Sequence, residues 1–185
     1  MSSARASGER AAGFTLMELM VAMAIIGLLF MLIIPAAWRS IEVGRAASCT
    51  SQLRQIAGGL NAYLGDHDMT MPTMKAGRLR LTDPGPVLDT VLLPYLRDPR
   101  VFACPSDSKI ARVSGTSYFW NTTINGQRLG SLDFMRLTDD PSRIPVMSDK
   151  EAFHPYLEKK VNILYADGHA TKDLKFVTDE ERGAK

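Results

Sequence analysis

The sequence predicts an α+β fold in which one long N-terminal helix packs against a small antiparallel sheet. Three observations lead to this prediction. Residues 14–37 are uncharged apart from Glu18, and a stripe of apolar residues at helical spacing follows them. The C-terminal part of the chain then contains short β-branched or aromatic segments and an Asp-Gly pair, which is typical of a hairpin.

The uncharged segment is long enough, as a helix, to cross the ~30 Å hydrocarbon core of a membrane. Arg5 and Arg10 precede it, which predicts that this end stays in the cytoplasm and that the rest is exported. A secretory signal has its small-residue cleavage site after the apolar core, whereas here the small residue, Gly13, comes first. Cleavage at Gly13 would therefore leave the apolar segment on the mature protein.

Glu18 is a carboxylate within this segment, where insertion costs ~2.5–3.5 kcal/mol unless the charge finds a partner or a wet boundary. Cleavage after Gly13 would create a partner, the α-amino group of Phe14, four residues away on the same helix face. That amine can pair with Glu18 of its own chain or of a neighbouring subunit. Alternatively, Glu18 lies at the headgroup boundary, which charges near helix ends reach readily.

The stretch from Gly13 to Gly27, GFTLMELMVAMAIIG, resembles the cleavage and methylation signature of type IV prepilins and type II secretion pseudopilins. The resemblance implies a pilin-like fold, cleavage after Gly13 by prepilin peptidase, N-methylation of Phe14 and a role for Glu18 in subunit docking. Pro35 matches the helix-kinking proline often found in such helices. The implied function is that of a structural subunit of a type IV pilus-like or type II secretion pseudopilus filament.

This resemblance implies a division of the chain into four parts. Residues 1–13 are a cleaved leader, 14–38 the transmembrane half of a stalk helix, 39–65 its amphipathic half, and 66–185 a periplasmic α+β head. We expect one pass through the bacterial inner membrane with a cytoplasmic N-terminus, and later a periplasmic or cell-surface filament. The expected partners are prepilin peptidase, the inner membrane, and copies of this chain or other pilins and pseudopilins.

Apolar residues spaced three and four apart predict that the helix continues beyond Pro35 and packs against the head. Gly58 and Gly59 weaken its end by roughly 1 kcal/mol each relative to alanine, so we expect the last turns to depend on packing. The stripe comprises Ala46, Cys49, Leu53, Ile56, Leu60 and Tyr63.

The head is predicted to begin with loops and a short helix at residues 87–96, which Pro94 shortens or breaks. Asp167-Gly168 predicts a hairpin, because both central positions of such a turn accept a positive φ. Strands are predicted at residues 101–103, 117–121, 144–147, 161–166 and 169–171.

Several blocks of the head resemble a large family of bacterial prepilin-like proteins: LPYL at 93–96, VFACPSD at 101–107, Ser-Tyr-x-x-Asn at 117–121 and NILYADGH at 162–169. The C-terminal signature of that family is a histidine, nine residues and Asp-Gly. Here twelve residues separate His154 from Asp167, so the resemblance assigns no role to this histidine.

Cys49 and Cys104 are the two cysteines of the chain, and neither belongs to a C-x-x-C motif. In an oxidising compartment they are predicted to form a disulfide. In the chain-entropy model, such a disulfide stabilises the folded chain by roughly 4 kcal/mol. The alternative is a pair of unpaired, buried thiols.

No cofactor is expected, and Asp66, Asp68 and Asp167 are the candidate ligands if calcium binds. An enzyme is not expected, because no nucleophile motif frames any serine. Nucleic acid is not an expected partner, because the net charge is only +2 and no basic stripe is present. The alternative function is a membrane-tethered periplasmic binding module, a minor or tip pseudopilin that contacts secreted cargo, a glycan or a divalent ion without being built repeatedly into a filament.

Overall fold

A computed structural model describes residues 15–172 and confirms the α+β fold. A long helix is followed by two short helices and an antiparallel four-stranded sheet. The helices are α1 (Leu16–Asp66), α2 (Leu88–Leu92) and α3 (Ile110–Ser114); the strands are β1 (Tyr118–Trp120), β2 (Pro145–Asp149), β3 (Ile163–Tyr165) and β4 (Ala170–Thr171). Short 3₁₀ helices occupy Leu93–Tyr95, Pro99–Phe102, Thr122–Ile124 and Leu129–Ser131.

The chain divides into two compact units, Met1–Trp38 and Arg39–Lys185. The described part of the first unit is the N-terminal part of α1, which is long and apolar enough to span a membrane by length and composition. Pro35 lies inside this helix. Its missing N–H removes one backbone hydrogen bond without ending α1.

The second unit has a hydrophobic core to which one face of α1 contributes. Each position of the predicted stripe up to Leu60 is buried, and Tyr63 is partly buried. Gly59 allows a close approach here, because a Cβ at this position would lie 2.8 Å from the Leu96 side chain. The buried residues of α1 are Glu42, Ala46, Cys49, Leu53, Ile56, Ala57, Gly59, Leu60 and Leu64.

The sheet has the order β1-β2-β3-β4, and each neighbouring pair is antiparallel. The predicted Asp-Gly hairpin is present between β3 and β4. Gly168 has a φ of 87°, and its N–H donates to the Tyr165 carbonyl at 2.9 Å. The strand prediction at 117–121 is confirmed by β1, and the prediction at 144–147 by β2, which continues to Asp149.

The strand predicted at residues 101–103 is wrong, because this segment belongs to the 3₁₀ helix Pro99–Phe102 and the residue after it. The Asp98 side chain accepts a hydrogen bond from the Arg100 N–H at 2.9 Å, and Pro99 fixes φ at the first helical position. Local capping therefore overrides the β preference of this segment. The short helix predicted at 87–96 is present as α2 followed by the 3₁₀ helix Leu93–Tyr95.

Candidate functional site

The described part of the first unit is a helix whose apolar side chains are left exposed by the rest of residues 15–172. Its large hydrophobic residues, from Leu16 to Trp38, are between 47% and 79% exposed. An apolar surface of this size is unfavourable in water at roughly 25 cal/mol per Å². The helix therefore requires lipid or other apolar helices around it.

Thr15 and Glu18 close the start of this helix with a capping box. A Glu18 carboxylate oxygen accepts a hydrogen bond from the Thr15 backbone N–H at 2.9 Å, and Thr15 Oγ1 accepts one from the Glu18 N–H at 3.3 Å. The Thr-x-x-Glu pattern signals this arrangement in the sequence, although the prediction for Glu18 considered only its charge. Gly13 and Phe14 lie outside the described residues, so cleavage, methylation and the Glu18–amine pair stay predictions.

A second candidate site is a polar cluster buried inside the head. Cys49 comes from the core-facing side of α1, Cys104 follows the 3₁₀ helix Pro99–Phe102, and His154 lies between β2 and β3. Their side chains are at most 2% exposed. The two sulfur atoms and one ring nitrogen of His154 all lie within 4.8 Å of one another. The fold thus brings together three side chains that can bind metal ions, from distant parts of the sequence.

The loop that carries Cys104 is held by side-chain hydrogen bonds. The Cys104 N–H donates to Ser117 Oγ at 2.9 Å, and that hydroxyl donates to Asp107 at 2.6 Å. Asp107 also accepts from the backbone N–H groups of residues 109–111 at 2.7–2.9 Å. Burial raises the pKa of Asp107, but these hydrogen bonds outweigh it and hold the pKa below its ordinary value. Hydrogen bonds at Cys104 and at Asp107 therefore fix both ends of the segment 104–107.

Glu42 orients the imidazole of His154. Nδ1 of His154 lies 2.8 Å from Glu42 Oε1, which also accepts a hydrogen bond from Ser106 Oγ at 2.6 Å. Burial raises the pKa of Glu42, but the hydrogen bonds from Ser106 and His154 outweigh it and lower the pKa. Because an ionised carboxylate only accepts hydrogen bonds, Nδ1 carries a hydrogen and Nε2 faces the thiols.

The His154 Nε2 atom lies 3.8 Å from Cys104 Sγ and 3.0 Å from the Asn162 amide nitrogen. Burial lowers the pKa of His154, but hydrogen bonding to Cys104 and Glu42 outweighs burial and raises it. The hydrogen bond from Cys49 lowers the pKa of Cys104, and the same contact together with burial raises the pKa of Cys49. Cys104 is thus the more acidic thiol of the pair.

Asp149 adds a buried carboxylate next to Cys49. Its Oδ1 lies 3.6 Å from Cys49 Sγ, while its Oδ2 accepts hydrogen bonds from the backbone and side-chain nitrogens of Asn162, both at 2.8 Å. Burial raises the pKa of Asp149 to about 6. The Tyr118 hydroxyl lies 3.3 Å from Cys49 Sγ and donates to Gln52 at 3.1 Å.

The structure brings the two predicted disulfide partners together but describes both as free thiols. The disulfide therefore stays a prediction. The sequence patterns assigned no role to His154, Glu42, Asp149 or Asn162. One signal was available, because Glu42 lies four and seven residues before Ala46 and Cys49, on the stripe that the helix buries. A carboxylate on a buried face needs a buried partner.

The candidate calcium ligands lie elsewhere and contribute to turns. Asp66 is the last residue of α1, and Asp68 has a φ of 51°. Asp167 accepts a hydrogen bond from the His169 N–H at 3.0 Å and contacts the His169 ring. Within residues 15–172, none of these three aspartates joins a group of three close metal-ligand atoms.

Comparison with known proteins bears on the N-terminal segment. Residues 10–34 match the family model described as the prokaryotic N-terminal methylation motif. This match confirms the resemblance to the prepilin-type cleavage and methylation signal. Neither curated proteins nor solved structures give a match to the chain. The resemblance of the head blocks, including Asp-Gly-His, stays a prediction.

Proposed function

Because residues 10–34 carry the prepilin-type cleavage and methylation signal, we propose that this chain is a structural subunit of a type IV pilus-like filament or a type II secretion pseudopilus. Prepilin peptidase cleaves after Gly13, Phe14 is N-methylated, and subunits assemble through their N-terminal helices. The observation that carries the proposal is the coincidence of this signal with a helix whose apolar side chains are exposed throughout residues 16–34. Stacked helices of neighbouring subunits would cover these side chains.

Before assembly, the chain spans the bacterial inner membrane once, with its N-terminus in the cytoplasm and its head in the periplasm. The length and composition of the N-terminal part of α1 support a single span. Arg5 and Arg10 support this orientation, because basic residues favour the cytoplasmic side. Other pilins or pseudopilins in the same filament are the expected partners.

In the proposed filament, Glu18 pairs with the methylated amine of Phe14 in a low-dielectric core, where an ion pair is stronger than in water. The capping box gives the same carboxylate a second role, in starting α1. The two roles require different chemistry. Glutamine preserves a capping box but has no charge, so Glu18→Gln separates docking from capping.

The test compares wild type with Glu18→Gln, Glu18→Ala and Thr15→Val in a host that processes and assembles prepilins. Intact mass and N-terminal sequencing report processing, and sedimentation of sheared material reports filaments. We expect all four chains to start at a methylated Phe14. Both Glu18 variants should lose about tenfold or more of the sedimenting protein, since an unpaired amine remains in the apolar core. Thr15→Val should assemble as wild type does.

Wild-type assembly by Glu18→Gln would contradict the charge role, and a mature chain that still begins at Met1 would overturn the proposal as a whole. A wild-type chain that starts at Phe14 but never sediments in filaments would favour the second candidate function. In that case the chain is a tethered module, a minor or tip pseudopilin that contacts secreted cargo, a glycan or a divalent ion.

A further inference from the structure

We propose that Cys49, Cys104 and His154 form a buried binding site for a thiophilic divalent metal ion, with Zn²⁺ as the ion that fits best. The inference goes beyond the proposed function, because it concerns only the second unit. Assembly through the N-terminal helix neither requires this site nor is required by it. The two ideas therefore succeed or fail separately.

The donor set is the first argument. Two cysteine sulfurs and an imidazole nitrogen are the ligands of many tetrahedral zinc sites. Zinc bonds of about 2.3 Å to sulfur and 2.0–2.1 Å to nitrogen place neighbouring ligand atoms roughly 3.4–3.8 Å apart. Here Cys104 Sγ lies 3.8 Å from His154 Nε2, and the three donor atoms lie within 4.8 Å of one another. If the distances between the three donor atoms shortened by about 1 Å or less, the atoms would have the separations found around a zinc ion.

The contacts around His154 are the second argument. A histidine that binds a metal commonly donates its other ring N–H to a carboxylate, which fixes the ring and makes it a stronger ligand. Glu42 supplies that carboxylate at 2.8 Å from Nδ1, and Ser106 in turn holds Glu42 at 2.6 Å. His154 therefore already has the carboxylate partner that a metal-binding histidine commonly has.

Asp149 lies next to these three donors without belonging to the close group that they form. Its Oδ1 accepts a hydrogen bond from Cys49 Sγ at 3.6 Å, and its Oδ2 accepts two hydrogen bonds from Asn162. Two sulfurs and one nitrogen therefore supply three of the four ligands that a structural zinc site uses.

The surroundings favour a metal over a disulfide between the same two cysteines. A disulfide is uncharged and needs neither a buried imidazole nor a buried carboxylate next to it. His154 is fully buried beside the two thiols, and Glu42 already holds its other ring nitrogen at 2.8 Å. A bound cation would use the His154 nitrogen that faces Cys104.

The experiment uses the full chain in detergent, both as isolated and after anaerobic reduction. The reduced chain is titrated with Co²⁺, whose thiolate complexes absorb in the near-ultraviolet and visible, and then with Zn²⁺. We expect about one Co²⁺ per chain, a thiolate charge-transfer band, and loss of that band when Zn²⁺ displaces Co²⁺. X-ray absorption of the zinc form should show two sulfur neighbours. Alkylation followed by intact mass reports the thiols of the isolated chain.

Variants locate the site. Cys104→Ser and His154→Gln should abolish the cobalt band, and Glu42→Gln should weaken binding by about ten- to a hundredfold through loss of the outer contact. The matched control is His67→Gln, because His67 is exposed and bonds the Tyr63 carbonyl. This variant should bind the metal as wild type does.

Two outcomes overturn the proposal, and both concern the wild-type chain, so neither depends on a variant that fails to fold. One is a reduced chain that gives no thiolate–cobalt band. The other is an isolated chain that carries a Cys49–Cys104 bridge and no metal, which would confirm the disulfide prediction instead.

Discussion

The two parts of α1 differ in where their apolar side chains find cover. From Leu16 to Trp38 the large hydrophobic side chains remain about half exposed or more. From Glu42 to Leu64, by contrast, one face of the same helix is buried in the core of the second unit. The first part must find its apolar surroundings outside the chain, and the second part finds them inside it.

This difference shows what each kind of sequence pattern encodes. A uniformly apolar segment specifies a class of surroundings, lipid or similar helices, and leaves the rotation of the helix free. An apolar stripe with polar interruptions specifies one face and therefore one partner surface. Glu42 sharpens that specification, because a buried carboxylate on the stripe matches only a surface that offers hydrogen-bond donors such as Ser106 and His154.

A matched pair of leucine truncations should give the largest effect. Leu53→Ala removes a fully buried side chain and should lower the unfolding free energy of the second unit by about 2–5 kcal/mol. Leu29→Ala, at 50% exposure in the first unit, should change it by less than about 0.5 kcal/mol. Denaturant unfolding in detergent, followed by tryptophan fluorescence, measures both. Equal losses would contradict the division of α1 into two environments.

A charge placed in the first part of α1 should have the next largest effect. Ile25→Arg should raise the free energy of membrane insertion by about 2.5–3.5 kcal/mol and reduce the carbonate-resistant membrane fraction accordingly. Val43→Arg provides the control, because Val43 is 51% exposed in the second unit. If both variants stay in the membrane equally well, the first part of α1 does not need an apolar environment.

A smaller, pH-dependent effect is expected at the loop that carries Cys104. Asp107→Asn replaces an oxygen that accepts from Ala111 and Ser117, and should destabilise the second unit by about 1 kcal/mol at pH 7. The pKa of Asp107 is lowered in the folded chain, so its stabilisation is present above the unfolded pKa of about 3.9 and is lost as pH falls through the folded pKa.

Thermal unfolding of wild type and Asp107→Asn between pH 3 and pH 7 checks this expectation. The difference in unfolding free energy between the two chains should shrink below about pH 4, where the Asp107 carboxyl of the unfolded chain binds a proton more readily than that of the folded chain. A difference that is constant with pH would assign the effect to the shape of the side chain rather than to its charge.

Most of the fold could be predicted from patterns that are local in the sequence. The span of α1, the hairpin at Gly168 and strand β1 each follow from composition, periodicity or turn chemistry within a few residues. The strand predicted at 101–103 was wrong because a local cap at Asp98 was overlooked. These features needed no knowledge of distant parts of the chain.

The buried cluster, by contrast, could not be predicted without knowing which distant parts of the chain come together. Glu42, Cys49, Cys104 and His154 lie in three separate segments of the sequence, and no periodicity relates them. The number of residues between His154 and Asp167 did not assign a role to His154. In the structure, the position of His154 is set by the residues that it contacts, including Glu42. Tertiary contacts of this kind are not encoded in any short window, so the sequence predicted the proximity of the two cysteines but not that of His154 and Glu42.

The capping box at the start of α1 has a consequence for maturation. The helix begins at Leu16, and its first hydrogen bonds involve Thr15 and Glu18, whereas the proposed cut lies after Gly13. A protease acts on extended backbone and cannot reach a bond within a helical turn unless that turn opens. The hydrogen bonds described at this helix end join Thr15, Glu18 and Leu19, which all lie on the C-terminal side of the proposed cut. If the chain is cut after Gly13, the capping box between Thr15 and Glu18 therefore stays with the mature protein.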